Sequence, residues 1–220
     1  MNRTKIEWCD YTWNPMMGCT YGCTYCYARR ITKRFPRNYP HGFRPHFREF
    51  EWWAKMPRKP SLIFTVSMGD FWDPEFTEGE RDLVLERIRA HPQHRFLILT
   101  KQPGNIRKPQ RGFPRNLWQG VTVDLPGMEY RIDELLGADV DHPFISFEPL
   151  LGEVEPDLAG IEWVIIGALT NPRTLPDPEW VQIILDQADS CRIPVFMKNN
   201  LGLPQPRQEF PKELNLNHLE

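Results

Sequence analysis

Three cysteines, Cys19, Cys23 and Cys26, stand within eight residues of a 220-residue chain, in the run GCTYGCTYCYARR at residues 18–30. Thiolates are soft ligands that select zinc or iron–sulfur centres. Three of them at CxxxCxxC spacing suit one face of a cubane [4Fe–4S] cluster, whose fourth iron is then open to a small chelating molecule. A closed electron-transfer cluster takes four cysteines instead. A zinc site completed by Cys9, His41 or His46 is the alternative, though zinc ribbons generally repeat a CxxC pair. Cys9 and Cys191 have no ligand-like spacing and read as small packing residues. Five cysteines, three of them crowded together, fit a metal site in a reducing compartment better than a disulfide framework.

The elements that must position this loop alternate between strand and helix. Near-continuous apolar runs at Leu62–Ser67, Arg95–Thr100, Leu117–Val123, Phe144–Phe147, Trp163–Gly167 and Pro194–Met197 predict parallel strands buried on both faces. Helices are predicted for Thr24–Arg34, Phe47–Lys55, Glu78–Ala90, Met128–Leu136 and Pro178–Ser190. In Glu78–Ala90, Leu83, Val84 and Ile88 form the apolar face, opposite Glu80, Arg81, Glu86 and Arg87. The expected class is α/β with a parallel sheet, open or curled into a partial barrel, and the active site belongs at the C-terminal ends of the strands. A chain of this length at 40% hydrophobic supports one sizeable core, so residues 1–220 are expected to form a single domain.

Charge is unevenly spread behind a net of −2. Residues 1–60 carry 12 basic and 4 acidic side chains, whereas residues 119–220 carry 6 and 18. A basic half of this kind is the footprint of an anionic partner such as nucleic acid, or else it is compensated by the acidic half. Trp8, Trp13, Trp52, Trp53 and Trp72 fit either base stacking or core packing. The N-terminus MNRTKIEWCD lacks a signal peptide's apolar stretch, and the longest apolar run, around Trp163 to Leu169, is too short to span a bilayer. The expected location is cytoplasmic, with no membrane partner.

CxxxCxxC with an aromatic residue before the third cysteine, here Tyr25, resembles the signature of the radical S-adenosylmethionine (SAM) superfamily. Through IEWCDYTWNP, SMGDFWDP, LTKQP, GVTVD, SFEPLLG and WVIIGA, most of the chain is similar to a phage-associated family of unknown function within or near that superfamily. The cysteine loop with its following CYARR is similar to that of spore photoproduct lyase and its relatives. The resemblance implies a partial (β/α)6 barrel of the radical SAM type. It further implies a [4Fe–4S] cluster on Cys19, Cys23 and Cys26, with SAM chelated at the open iron. One electron, from a donor such as flavodoxin or ferredoxin, then yields methionine and a 5′-deoxyadenosyl radical that abstracts hydrogen from the substrate.

The same resemblance implies further contacts. Ser67, Gly69 and Asp70 occupy the place of the family's Gly-Gly-Glu stretch after the second strand, which makes Asp70 the candidate for the SAM amino group. Thr122 and Asp124, at the end of the fourth strand, fall where ribose is held, and the backbone of Ile166 falls where adenine is contacted. Lys101, Glu148 and Lys198 end other strands; Glu148 and Lys198 either serve a polar substrate or form a structural ion pair. Two function classes therefore stand: a radical SAM enzyme acting on an unidentified substrate, nucleic acid among the options, or a non-catalytic iron–sulfur or zinc nucleic-acid-binding module.

Overall fold

Unbroken apolar runs demand cover on both faces, and all six expected runs form strands whose residues are mostly buried. The computed structural model describes residues 1–216 and divides into two units, Met1–Leu117 and a second from Trp118. The first unit runs β1 (Asn2–Arg3), β2 (Tyr11–Trp13), β3 (Met16–Met17), α1 (Tyr27–Arg34), β4 (His46–Phe47), α2 (Glu49–Trp52), β5 (Leu62–Thr65), α3 (Glu78–Arg89) and β6 (Arg95–Thr100). β2, β5 and β6 are parallel neighbours, and β1 adds to β2 antiparallel. β3 and β4 form a separate antiparallel pair.

The second unit follows with β7 (Leu117–Thr122), which starts at the boundary, then α4 (Tyr130–Gly137), β8 (Pro143–Phe147) and β9 (Trp163–Ile166). β10 (Leu169–Thr170), β11 (Arg173–Thr174), α5 (Pro178–Cys191) and β12 (Val195–Met197) complete it. Here β7, β8, β9 and β12 are parallel in that order. The α/β class is thus as expected, and the five helices lie within a few residues of their predicted bounds. No described helix is long and apolar enough to cross a membrane.

Two local expectations are corrected. α3 buries Val84, Leu85 and Ile88 and leaves Leu83 46% exposed. Leu85, one residue beyond Val84, completes the stripe, and Leu83 falls to its side. At the start of α3, Thr77 and Glu80 close a capping box, with Thr77 N donating to Glu80 Oε2 at 2.8 Å and Glu80 N to Thr77 Oγ1 at 3.2 Å. The short strands β1 to β4 were not expected, because two or three residues carry no readable period.

The core of the first unit explains most of its tryptophans. Trp8, Trp13 and Trp72 are buried, so packing and not base stacking accounts for them, whereas Trp53 is 64% exposed. Trp13 is fully enclosed, meets Phe96 edge-on with centroids 6.0 Å apart, and donates its indole N–H to Glu51 O at 2.7 Å. It thereby ties β2 to β6 and α2 at the strand that leads into the cysteine loop. Trp13→Ala is expected to cost about 3–5 kcal/mol of stability, the range for emptying a buried aromatic site. Urea unfolding followed by fluorescence measures this, and a midpoint equal to that of the wild type would show that Trp13 is not a core anchor.

Candidate metal centre

Because β2, β5 and β6 are parallel, their C-terminal ends share one edge of the sheet, and the chain leaving each of them builds one site. Residues after β2 lead through β3 to the cysteine loop, those after β5 form Val66–Asp73, and those after β6 supply Lys101 and Gln102. Val66 sits at φ +60°, a left-handed conformation costly for a β-branched residue, and turns the chain out of β5. Gly18 pairs with Gly69: Gly18 N donates to Met68 O at 3.0 Å and Asp70 N to Gly18 O at 3.3 Å. A Cβ on Gly69 would lie 2.6 Å from Gly18 O, and one on Gly18, at φ +97°, 2.3 Å from Arg44 O. Both positions require glycine.

Two side chains that the sequence did not single out hold the loops together. Asp73 is fully buried, and its Oδ2 accepts from Thr20 N at 2.6 Å, Thr20 Oγ1 at 2.8 Å and Gln102 Nε2 at 3.3 Å. Its Oδ1 accepts from Glu75 N at 3.1 Å. Asn14 Oδ1 accepts from Met68 N at 2.9 Å and Ser67 Oγ at 3.2 Å. An Asp directly before Pro74 is a turn signal, and that was the available hint for Asp73.

Asp70 is 5% exposed, with its carboxylate turned into the protein. Oδ1 accepts from Thr100 Oγ1 at 2.7 Å and Trp72 N at 3.0 Å, and Oδ2 from Lys101 N at 3.0 Å. Burial pushes this carboxyl above the ordinary aspartate range, against the pull of those donors. Around it, the Lys101 ammonium bonds the Tyr25 hydroxyl and lies 4.6 Å from the centre of the Tyr25 ring. The Tyr27 hydroxyl donates to Ser67 O. Ser67, Gly69 and Asp70 are thus gathered beside the cysteine loop that carries Tyr25.

None of the five cysteines forms a disulfide, and Cys19, Cys23 and Cys26 are each partly exposed. Cys19 Sγ accepts from Tyr21 N at 3.3 Å. Cys26 caps α1, its Sγ accepting from Arg29 N at 3.4 Å. Backbone N–H groups aimed at sulfur, one of them at a helix N-terminus, stabilise thiolate charge and suit sulfurs that ligate iron. Burial first, then the charge of Asp70, pushes the Cys19 thiol well up; coordination to a metal removes such a proton outright. Among the described residues, no three His, Cys, Asp or Glu side chains gather around one ion position. A cubane takes each thiolate on a different iron, so the donor set and its N–H···S bonds fit it. Cys9 is buried as a packing residue, but Cys191 is exposed at the end of α5 and packs against no core.

The remaining expected residues lie in the second unit. Thr122 is buried in β7, and its carbonyl accepts from Arg131 Nη1 at 2.6 Å. Asp124 is 5% exposed and pairs with the same nitrogen at 2.9 Å. Ile166 is buried at the end of β9, its carbonyl accepting from Lys198 N at 2.9 Å. Glu148 and Lys198 form an ion pair across Gly167, whose added Cβ would lie 3.0 Å from each side chain.

Comparison with known proteins places this geometry in context. A family model described as a protein of unknown function, DUF5131, matches residues 3–213. Spore photoproduct lyase, solved in complex with a dinucleoside spore photoproduct, is similar in fold with a TM-score of 0.51 at 10% identity. The match covers 87% of this chain and 64% of that one, so the chain spans less than two thirds of that protein's length. No curated protein matches by sequence.

Asp73→Ala leaves the Thr20 N–H and hydroxyl without their acceptor. The expected cost is on the order of 3 kcal/mol, the upper range for a hydrogen bond to a charged group, with faster alkylation of Cys19, Cys23 and Cys26 by iodoacetamide. Urea titration and mass-spectrometric labelling rates measure the two effects. Unchanged labelling would mean that Asp73 does not hold the cysteine loop.

Proposed function

We propose that this chain, which belongs to the DUF5131 family, is a radical SAM enzyme whose residues 1–220 act as one catalytic domain of the partial (β/α)6-barrel kind. The observation that carries this reading is the pairing of Gly18 with Gly69. It joins the CxxxCxxC loop and the Ser67–Asp70 loop at the C-terminal edge of parallel strands, where α/β folds place their ligands. The similarity of fold to spore photoproduct lyase supports the same class.

A [4Fe–4S] cluster on Cys19, Cys23 and Cys26 would supply one electron, received from a flavodoxin or ferredoxin, to split SAM into methionine and a 5′-deoxyadenosyl radical that takes hydrogen from the substrate. The chain's own residues prepare that event. Tyr21 N–H and Arg29 N–H steady the sulfurs of Cys19 and Cys26. Asp70, the candidate for the SAM amino group, is itself held to β6 by Thr100 Oγ1 and Lys101 N. Lys101, held against Tyr25, supplies a cation suited to the SAM carboxylate. Nucleic acid is the substrate class that the basic first 60 residues favour, and the similar lyase was solved with a dinucleoside photoproduct.

Anaerobic reconstitution with iron and sulfide, followed by dithionite and SAM, tests the proposal. The wild type is expected to show cluster absorption and to release 5′-deoxyadenosine. Cys19→Ala, Cys23→Ala and Cys26→Ala are each expected to lose both, while Cys9→Ala and Cys191→Ala keep both. An intact cluster in Cys23→Ala would overturn the ligand assignment. A wild type that binds iron and nucleic acid but never cleaves SAM would be a binding module and no enzyme.

A further inference from the structure

Beside the cysteine loop lies a cleft of about 640 Å³. Cys19 and Thr20 border it, α1 forms one wall with Arg29, Thr32 and Lys33, and residues 36–45 form the other. Its volume falls within the range of small-ligand pockets. Three cations, Arg29, Lys33 and Arg44, line it together with two aromatic rings, Tyr39 and Phe43. The Arg29 guanidinium lies 5.1 Å from the centre of the Phe43 ring, and its Nη2 donates to Cys19 O at 3.2 Å. Pro36, Pro40 and Pro45 punctuate the second wall and restrict its backbone.

Cations interleaved with aromatic rings in a concave groove match single-stranded nucleic acid, in which phosphates meet the charges and bases stack on the rings. A protein partner would need a far larger and flatter face, about 800 Å² a side. We propose that this cleft binds one or two nucleotides of a single strand and delivers the adjoining residue to the cysteine loop. The inference rests on the proposed function for its catalytic meaning, but the binding itself needs neither cluster nor SAM. Lys33 and Arg44 are exposed and so are accessible to phosphate.

Fluorescence anisotropy with labelled single- and double-stranded DNA and RNA oligonucleotides, from low to physiological salt, tests the cleft on both cluster-free and reconstituted protein. The wild type is expected to prefer single strands. Lys33→Glu with Arg44→Glu is expected to weaken binding at least tenfold and to flatten the slope of log affinity against log salt by about 1.4, two single-strand phosphates' worth. Tyr39→Ala is expected to lose roughly tenfold with little change in slope, because stacking is apolar. Arg58→Glu with Lys59→Glu, an equal charge change on exposed residues outside the cleft, is expected to stay within threefold. Circular dichroism checks folding, and Lys33→Gln with Arg44→Gln repeats the test should the reversal fail to fold. Equal losses in the two charge pairs would reduce the effect to a general basic field and overturn the proposal. So would absence of oligonucleotide binding at low salt, including a wild type that instead binds an acidic flavodoxin. Because binding is read without reductant or SAM, failure of the cluster assignment leaves this result standing and distinguishable.

Discussion

One buried carboxylate governs the arrangement of the first unit. Asp73 receives the backbone and hydroxyl of Thr20 on one oxygen and the backbone of Glu75 on the other, and its own carbonyl accepts from Arg81 Nη2 at 2.7 Å. The residue next to the first cysteine is thereby fixed to the turn after β5 and to the start of α3. A carboxylate enclosed to this degree is tolerable only with its acceptor sites filled, and here backbone and side-chain donors fill them. The Gly18–Gly69 pairing works in the same direction through the main chain. Together they make the shape of the cysteine loop a property of the sheet edge.

The strand ends of the two units are put to different use. In the second unit Asp124 and Arg131 form an ion pair whose side chains are 6% and 1% exposed, and Arg131 also caps the Thr122 carbonyl. Such a pair contributes little net stability against hydrophobic replacement, but removing one partner strands a buried charge. It fastens α4 to the end of β7. Glu148 and Lys198 likewise satisfy each other across Gly167, which is the structural reading of those two residues. In the first unit the strand ends present thiols, a lysine against a tyrosine, and a loop with Asn14 beneath it.

Much of this was legible in the sequence, for identifiable reasons. Runs such as RFLILT at 95–100 are apolar enough to become strands wherever they are placed, and β6 has those same bounds. The cysteine spacing and the aromatic residue before Cys26 are local patterns, so they survive without knowledge of the fold. What was not legible is non-local. The role of Asp73 depends on Thr20, 53 positions earlier, and nothing in FWDP distinguishes a loop anchor from a solvated turn. Asp70 was singled out for its position after β5, yet its hydrogen bonds from Thr100, Lys101 N and Trp72 N are set by β6 and the following turn, which no motif encodes. The strand YTW at β2 is too short to show a period, although it brings the chain to the site.

The separation between Thr20 and Asp73, and that of 76 positions between Tyr25 and Lys101, bears on the protein's birth at the ribosome. The three thiols leave the exit tunnel well before the residues that shape their loop have been polymerised. At 5–20 residues per second, the interval from Cys26 to Gln102 is roughly 4–15 seconds. Once outside the tunnel, the cysteines belong to a nascent chain with no formed pocket, open to oxidation or to stray metal. Zinc fingers also carry ligands close together in sequence, and there the ion itself drives folding. In this chain the sulfurs are equally close in sequence, but the groups that hold their loop, Asp73 and Lys101, follow only with later strands.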